Sequence, residues 1–353
     1  MTAPRPWLSR LVIALAPLSL ALIITSLILL AAGAPPLETY QKLFTGSLGT
    51  AVKRADVAVV WVSLVMAAAG LLITFTAGQW NIGMEGQITA GAILATGAAR
   101  LFIDDEGILV NGTPALLLVS AFMAGVVGGV IWALAAAALK VYGRVNEIFS
   151  GLGLNFIATG LSIYLLFGPW KQPSGGTLSG TVLFDTQVWL PTLPGLRVSV
   201  IAVALAAAVV TLVYFALRGT VWGLQLKAVG RNIQGAHILG IRTHRSLFSA
   251  YAMCGACAGL VGAYLVTGVH HRLIPSISSG YGFLGILIVL LAGFRALWLA
   301  PIAAFFAAVA IGSTSLQLDL QLDSSLGGVL QGVLVLAVLF VQGIRESVKR
   351  KRE

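Results

Sequence analysis

Along the chain, long apolar stretches alternate with short polar or glycine-rich breaks. A helix needs roughly 20 apolar residues to cross about 30 Å of hydrocarbon, and ten segments read as such crossings. They are Leu11–Ala32, Val57–Thr76, Ile88–Ile103, Pro114–Leu139, Ile148–Phe167, Val198–Leu217, Ser249–Val269, Tyr281–Leu291, Ala300–Leu316 and Leu326–Ile344. The regions 77–103 and 281–291 are the weakest, and read equally as broken or re-entrant helices. The first stretch ends at Ala32-Gly33-Ala34, which also resembles a signal-peptide cleavage site. Its apolar core is longer than the roughly 7–15 residues of such a peptide, so it is expected to stay as a span. Residues 33–56 then read as a polar external segment, with Pro35, Pro36 and Glu38.

Charge orients this pattern. The longest basic break runs from Leu217 to Phe248 and carries Arg218, Lys227, Arg231, Arg242 and Arg245 with no acid between them. Short loops rich in Lys and Arg stay in the cytoplasm, so this loop is placed inside. Both ends follow, with Arg5 and Arg10 before the first span and four basic residues in the tail after Arg345. Of the 22 Lys and Arg, 15 fall inside and seven outside. The expectation is a single transmembrane domain over residues 1–353, with 1–10 and 345–353 in the cytoplasm.

Composition narrows the class. Of 353 residues, 58% are hydrophobic and only 10% charged, with a mean hydropathy of +0.96. A soluble domain carries about 25% charged residues, so the chain is read as an all-α polytopic helix bundle in a lipid bilayer. Its net charge of +10 follows from the inside bias of its loops and calls for no nucleic-acid partner. Glycine at 41 positions suits helices that pack in lipid, where small residues let backbones approach.

Catalytic signatures are missing. Neither a phosphate-binding GxxxxGK[ST] loop nor a zinc-binding HExxH helix occurs, so no catalytic residue, metal or cofactor is expected, and any ATP is bound by a partner. Cys254 and Cys257 form a CxxC, but without a second ligand pair they read as small helix residues. Gly312-Ser313-Thr314-Ser315 lacks a companion base. The four histidines, among them His237, fall at loops or span ends.

Glu85 stands out, in the run Gly78-Gln79-Trp80-Asn81-Ile82-Gly83-Met84-Glu85-Gly86-Gln87. A carboxylate at membrane depth is costly and faces a cavity or a partner, and broken glycine-rich backbone at that depth often flanks a transport site. Two readings stand side by side. Glu85 either contacts substrate, with Asn81, Gln87 and Asn155, or anchors structure by capping a helix or binding backbone amides. Glu147 reads as an acid at a helix start. In the basic loop, Asn232 is a plausible N-cap and Gly240 a C-terminal stop. Together they bound a helix of about two turns from Ile233 to Leu239, which only packing would order. Gly235 and Ala236 leave room there for a partner to approach.

These residues also carry a resemblance. Thr74 to Ala92, TFTAGQWNIGMEGQITAGA, resembles the NIGxEGQ signature of permeases in bacterial ABC importers of nucleosides and simple sugars, which belong with the ribose-type and branched-chain amino acid permeases. Val145-Asn146-Glu147 followed by Leu154-Asn155-Phe156-Ile157-Ala158 is similar to a second signature of that family. Gly223 to Gly230 with Asn232, Gly240 and Ile241 is similar to its cytoplasmic coupling segment. The resemblance implies a fold of about ten transmembrane helices with a cytoplasmic coupling helix, in the bacterial inner membrane. It implies no enzyme activity in this chain. Its partners would be a cytoplasmic ABC ATPase, a second permease, identical or different, and an extracytoplasmic binding protein or lipoprotein. Gly230, Arg231, Asn232, Ile233, Gly235, Ala236, His237, Leu239 and Gly240 would receive the ATPase's movement, and the Glu-Gly-Gln form looks most like the nucleoside subgroup. A simple-sugar permease is the alternative, and an ion-coupled carrier a more distant one.

Overall fold

The computed structural model describes residues 19–20, 22–31, 33–172, 180–320, 328–329, 331–333, 335–337 and 340. Arg5, Arg10, ten of the 22 residues of the first expected span, ten of the 19 of the last and the tail 345–353 lie outside those residues. The described helices are α1 (Leu22–Ala31), α2 (Pro36–Leu48), α3 (Ala51–Thr76), α4 (Met84–Ala99), α5 (Pro114–Val141), α6 (Glu147–Phe167), α7 (Val200–Gly219), α8 (Val221–Arg231), α9 (Ile233–Ile238), α10 (Thr243–Tyr264), α11 (Tyr281–Leu291) and α12 (Leu299–Leu320). The only β-bridge among the described residues joins Ile103 and Leu109.

Six of these stretches are long and apolar enough to cross a membrane: α3, α5, α6, α7, α10 with its continuation to Val269, and 296–314. A seventh arises if α1 and α2, bent by 109° at their junction, form one broken passage. The helices α4, of 16 residues, and α11, of 11, reach only about 24 and 16 Å at 1.5 Å per residue.

The chain divides into two compact units, residues 1–57 with 304–353, and residues 58–303. In the first, α2 replaces the polar segment expected over 33–56. Leu37, Tyr40, Phe44 and Ser47 recur at helical spacing, Pro36 sits at the first helical position, where proline fits best, and Tyr40 Oη bonds Ser26 and the Leu22 carbonyl. Lys53 and Arg54 then fall in the first turn of α3, where Arg54 donates to the Leu48 carbonyl at 2.8 Å.

In the second unit α3, α4 and α10 are largely buried, while α5, α6 and α7 turn large apolar side chains outward, among them Met123, Ile131, Phe156, Tyr164, Leu212 and Phe215. Outward apolar faces suit hydrocarbon. The buried centre is built from small residues: a Cβ on Gly129 would lie 2.1 Å from the Gly255 carbonyl oxygen, and one on Gly91 2.6 Å from Gly259 Cα. The α4, α5 and α10 backbones therefore touch, which lipid-embedded helices need because no hydrophobic drive holds them together. Past Tyr264 the helix widens into a π-turn over Leu265–Val269, closed by His270 N donating to the Leu265 carbonyl at 2.8 Å.

Candidate functional site

The glycine-rich break after α3 is shorter than its sequence suggests. Met84 to Gln87 already belong to α4, so an acid sits in a first helical turn, where the dipole favours it. The true break, 77–83, begins with Gly78 in the left-handed region at φ +72. Gly78 N and Gln79 N close back on the Phe75 and Thr74 carbonyls, a glycine-terminated helix end.

Each of the four polar residues singled out near this break is held within the fold. Asn81 and Gln87 exchange side-chain hydrogen bonds at 3.2 and 3.0 Å, and Asn81 Nδ2 also reaches Cys254 Sγ at 3.1 Å. Asn155, on α6, donates to the Ile82 carbonyl at 3.0 Å and accepts from Gly86 N at 2.8 Å. It thus clamps both ends of the turn that starts α4. Beside it a Cβ on Gly151 would lie 2.6 Å from Gly83 N, so α6 rests directly on the break. Glu85 Oε1 accepts from Gly282 N at 2.7 Å and Phe283 N at 3.1 Å. Those amides open α11 and lack intrahelical acceptors, so the carboxylate caps a helix remote in sequence. A cap of this kind contributes about 0.5–2 kcal/mol, and this one also ties α11 to α4. Glu85 thus makes bonds to backbone amides, as one of its two readings describes.

The basic loop folds into α8 and α9. Thr220 Oγ1 caps α8 by accepting from Gly223 N. Asn232 Oδ1 caps α9 by accepting from Gly235 N at 2.9 Å, and Gly240, at φ +81, ends it. Ala236 is only 3% exposed and faces its own chain, while Ile238 and Leu239 are 84% and 79% exposed. Ile238, the last residue of this short helix, and Leu239, its C-cap, thus form an aliphatic pair on its open side, which Ile233, Gln234 and His237 share. Ile238 drew no attention in the sequence, although an aliphatic pair at the tip of a helix in a polar loop is its signal.

The two regions meet through backbone. A Cβ on Gly230, near the end of α8, would lie 2.2 Å from the Thr76 carbonyl oxygen and 2.9 Å from Gly78 N. A Cβ on Gly78 would lie 3.0 Å from Gly230 Cα. The end of α8 thus packs directly on the break, which Asn155 and Glu85 tie to α6 and α11.

At the opposite end of α10, residues 180–190 fold back over the helix. Thr181 N and Phe184 N donate to the Leu273 and His271 carbonyls, Leu190 N donates to that of Thr267, and Trp189 stacks on His271 with centroids 3.7 Å apart. Burial lowers the His271 pKa from its ordinary value, so it is neutral at pH 7. The loop's Gly, Pro, Ser and Thr content concealed this docked stretch.

A model of the family described as branched-chain amino acid transport system / permease component matches residues 54–339. The chain belongs to that permease family. A glucose ABC transporter permease of Haloferax volcanii is 30% identical over 90% of this chain and 84% of its own. A guanosine ABC transporter permease of Bacillus subtilis is 24% identical over 96% of this chain and 95% of its own. A nucleoside ABC transporter permease of Lactococcus lactis is 26% identical over 80% and 77%. The permease is accordingly a multi-pass membrane transport subunit and not an enzyme.

Proposed function

We propose that this permease is the membrane subunit of an ATP-driven importer of nucleosides, worked through α9 by a separate cytoplasmic ATPase. The observation that carries the reading is the pair Ile238 and Leu239, more than three-quarters exposed at the last position and C-cap of a six-residue helix. Such a helix holds together only when packed, and large aliphatic groups left open beyond the bilayer call for a protein surface. The rest of the assembly follows the family reading: a second permease, an extracytoplasmic binding protein, the bacterial inner membrane, and ten crossings with both termini inside.

In this mechanism the chain needs only contacts that differ between two states. Closure of the ATPase on ATP pushes α9, and α8 transmits the push through Gly230 to the break at 77–83. Asn81, Gln87, Asn155 and Glu85 act on the pathway by holding the backbone of this break and of α11, not by touching substrate. Gln79 Oε1, buried without a hydrogen-bond partner among the described residues, marks a polar group that a second position of the break would satisfy.

Nucleoside import is favoured by the Glu85-Gly86-Gln87 form and by the guanosine and nucleoside relatives. A simple sugar is the second reading, favoured by the 30% identical glucose permease. Uptake of labelled guanosine and glucose by cells carrying or lacking the gene separates them. The expected result is guanosine uptake that disappears with the gene and resists excess glucose. Glucose uptake resisting excess guanosine would assign the sugar.

A further inference from the structure

The second unit carries a cleft of about 330 Å³ between the ends of α3 and α7, the α8 helix and the turn after α11. That volume lies within the roughly 300–1,000 Å³ of ordinary ligand pockets. Leu72 and Leu217, both buried, form apolar wall. Arg218, Lys227 and Arg295 supply three cations from three separate elements, and no acidic residue is among the described residues that line the cleft. None of the three pairs with a carboxylate among the described residues, where Lys140–Glu147 is the ion pair found. Arg218 is held in place: its guanidinium donates to Tyr214 Oη at 2.6 Å and lies 5.6 Å from the ring centre.

Like charges gathered round one cleft repel each other, and a bound anion turns that repulsion into attraction. The anion expected here has an apolar portion as well, because the cations adjoin aliphatic wall at the ends of membrane-spanning helices. A phospholipid phosphate with its acyl chains has that chemistry, and basic pockets between transmembrane helices take anionic headgroups. We propose that this cleft binds the phosphate of an anionic phospholipid from the leaflet beside α8 and α9. The proposal rests on the function reading only in naming that leaflet cytoplasmic.

The test uses the full chain in neutral detergent and needs neither transport nor the ATPase, so it stands or falls apart from the import reading. Native mass spectrometry and thermal unfolding are recorded with phosphatidylglycerol, phosphatidylcholine or inorganic phosphate, for wild type and Arg218→Gln/Lys227→Gln/Arg295→Gln. Phosphatidylglycerol is expected to bind roughly 100-fold better than phosphatidylcholine, the scale that three basic contacts of about fivefold each give. The triple variant is expected to lose that preference while still unfolding cooperatively. Equal binding of both lipids, or a preference kept by the triple variant, would overturn the proposal. Protection by millimolar phosphate equal to that of the lipid would assign the cleft to a free anion. That result also contradicts the lipid site.

Discussion

Replacing Gly230 with leucine is expected to leave the permease in the membrane with its ATPase attached, hydrolysing ATP, while uptake collapses. The side chain has nowhere to go, since its first carbon would meet the Thr76 carbonyl oxygen at 2.2 Å and Ala77 C at 3.0 Å. Those are backbone atoms, so the break itself must shift. Overpacking of this kind costs about 1–3 kcal/mol, and a coupling energy of that size corresponds to roughly 5- to 150-fold. Uptake per hydrolysed ATP should fall within that range. Gly219→Ala is the control, because a Cβ there meets nothing within 4 Å, and it should transport as wild type does. Membrane level and ATPase co-purification, measured beside uptake, separate uncoupling from misfolding. Normal transport by a well-expressed Gly230→Leu chain would remove the Gly78–Gly230 contact from the mechanism.

How far the sequence could anticipate this arrangement differs from element to element. Spans such as α5 and α7 were plain because some twenty consecutive apolar residues have few other places to be. The ends of α9 were plain too, since Asn232 and Gly240 carry their capping chemistry locally. The start of α4 was hidden: Gly83, Glu85, Gly86 and Gln87 look like a loop until Asn155 and the α11 amides satisfy their polar groups from elsewhere in the chain. The α2 helix was hidden because prolines and polar residues dilute its apolar face. No periodicity in six residues tells which side of α9 faces its own chain, and so Ala236 looked open although it is buried and Ile238 is exposed. The contact of Gly78 with Gly230 joins segments far apart in sequence, which a single chain read in order does not reveal.

The second large effect is expected from Ile238→Asp/Leu239→Asp. Burying a Leu or Ile side chain stabilises by about 1.5–3 kcal/mol, so losing both on docking amounts to roughly 3–6 kcal/mol, on the order of 10²- to 10⁴-fold in affinity. Neither residue is buried in its own chain, so the fold should survive. The variant is expected to insert normally and to lose the ATPase on co-purification, with no uptake. Ala236→Asp would give a different outcome, a destabilised α8–α9 segment, because that side chain is buried against its own chain. Retention of the ATPase by the double aspartate variant would move the docking surface off α9.

All of this depends on α9 facing the cytoplasm beneath an ATPase. A single cysteine at position 238, in a chain with Cys254 and Cys257 replaced by alanine, can be probed in sealed membranes with an impermeant maleimide. The account predicts labelling only when the reagent reaches the cytoplasmic face, and protection when the ATPase is bound. Labelling from the outside, or equal labelling with and without the ATPase, would contradict it.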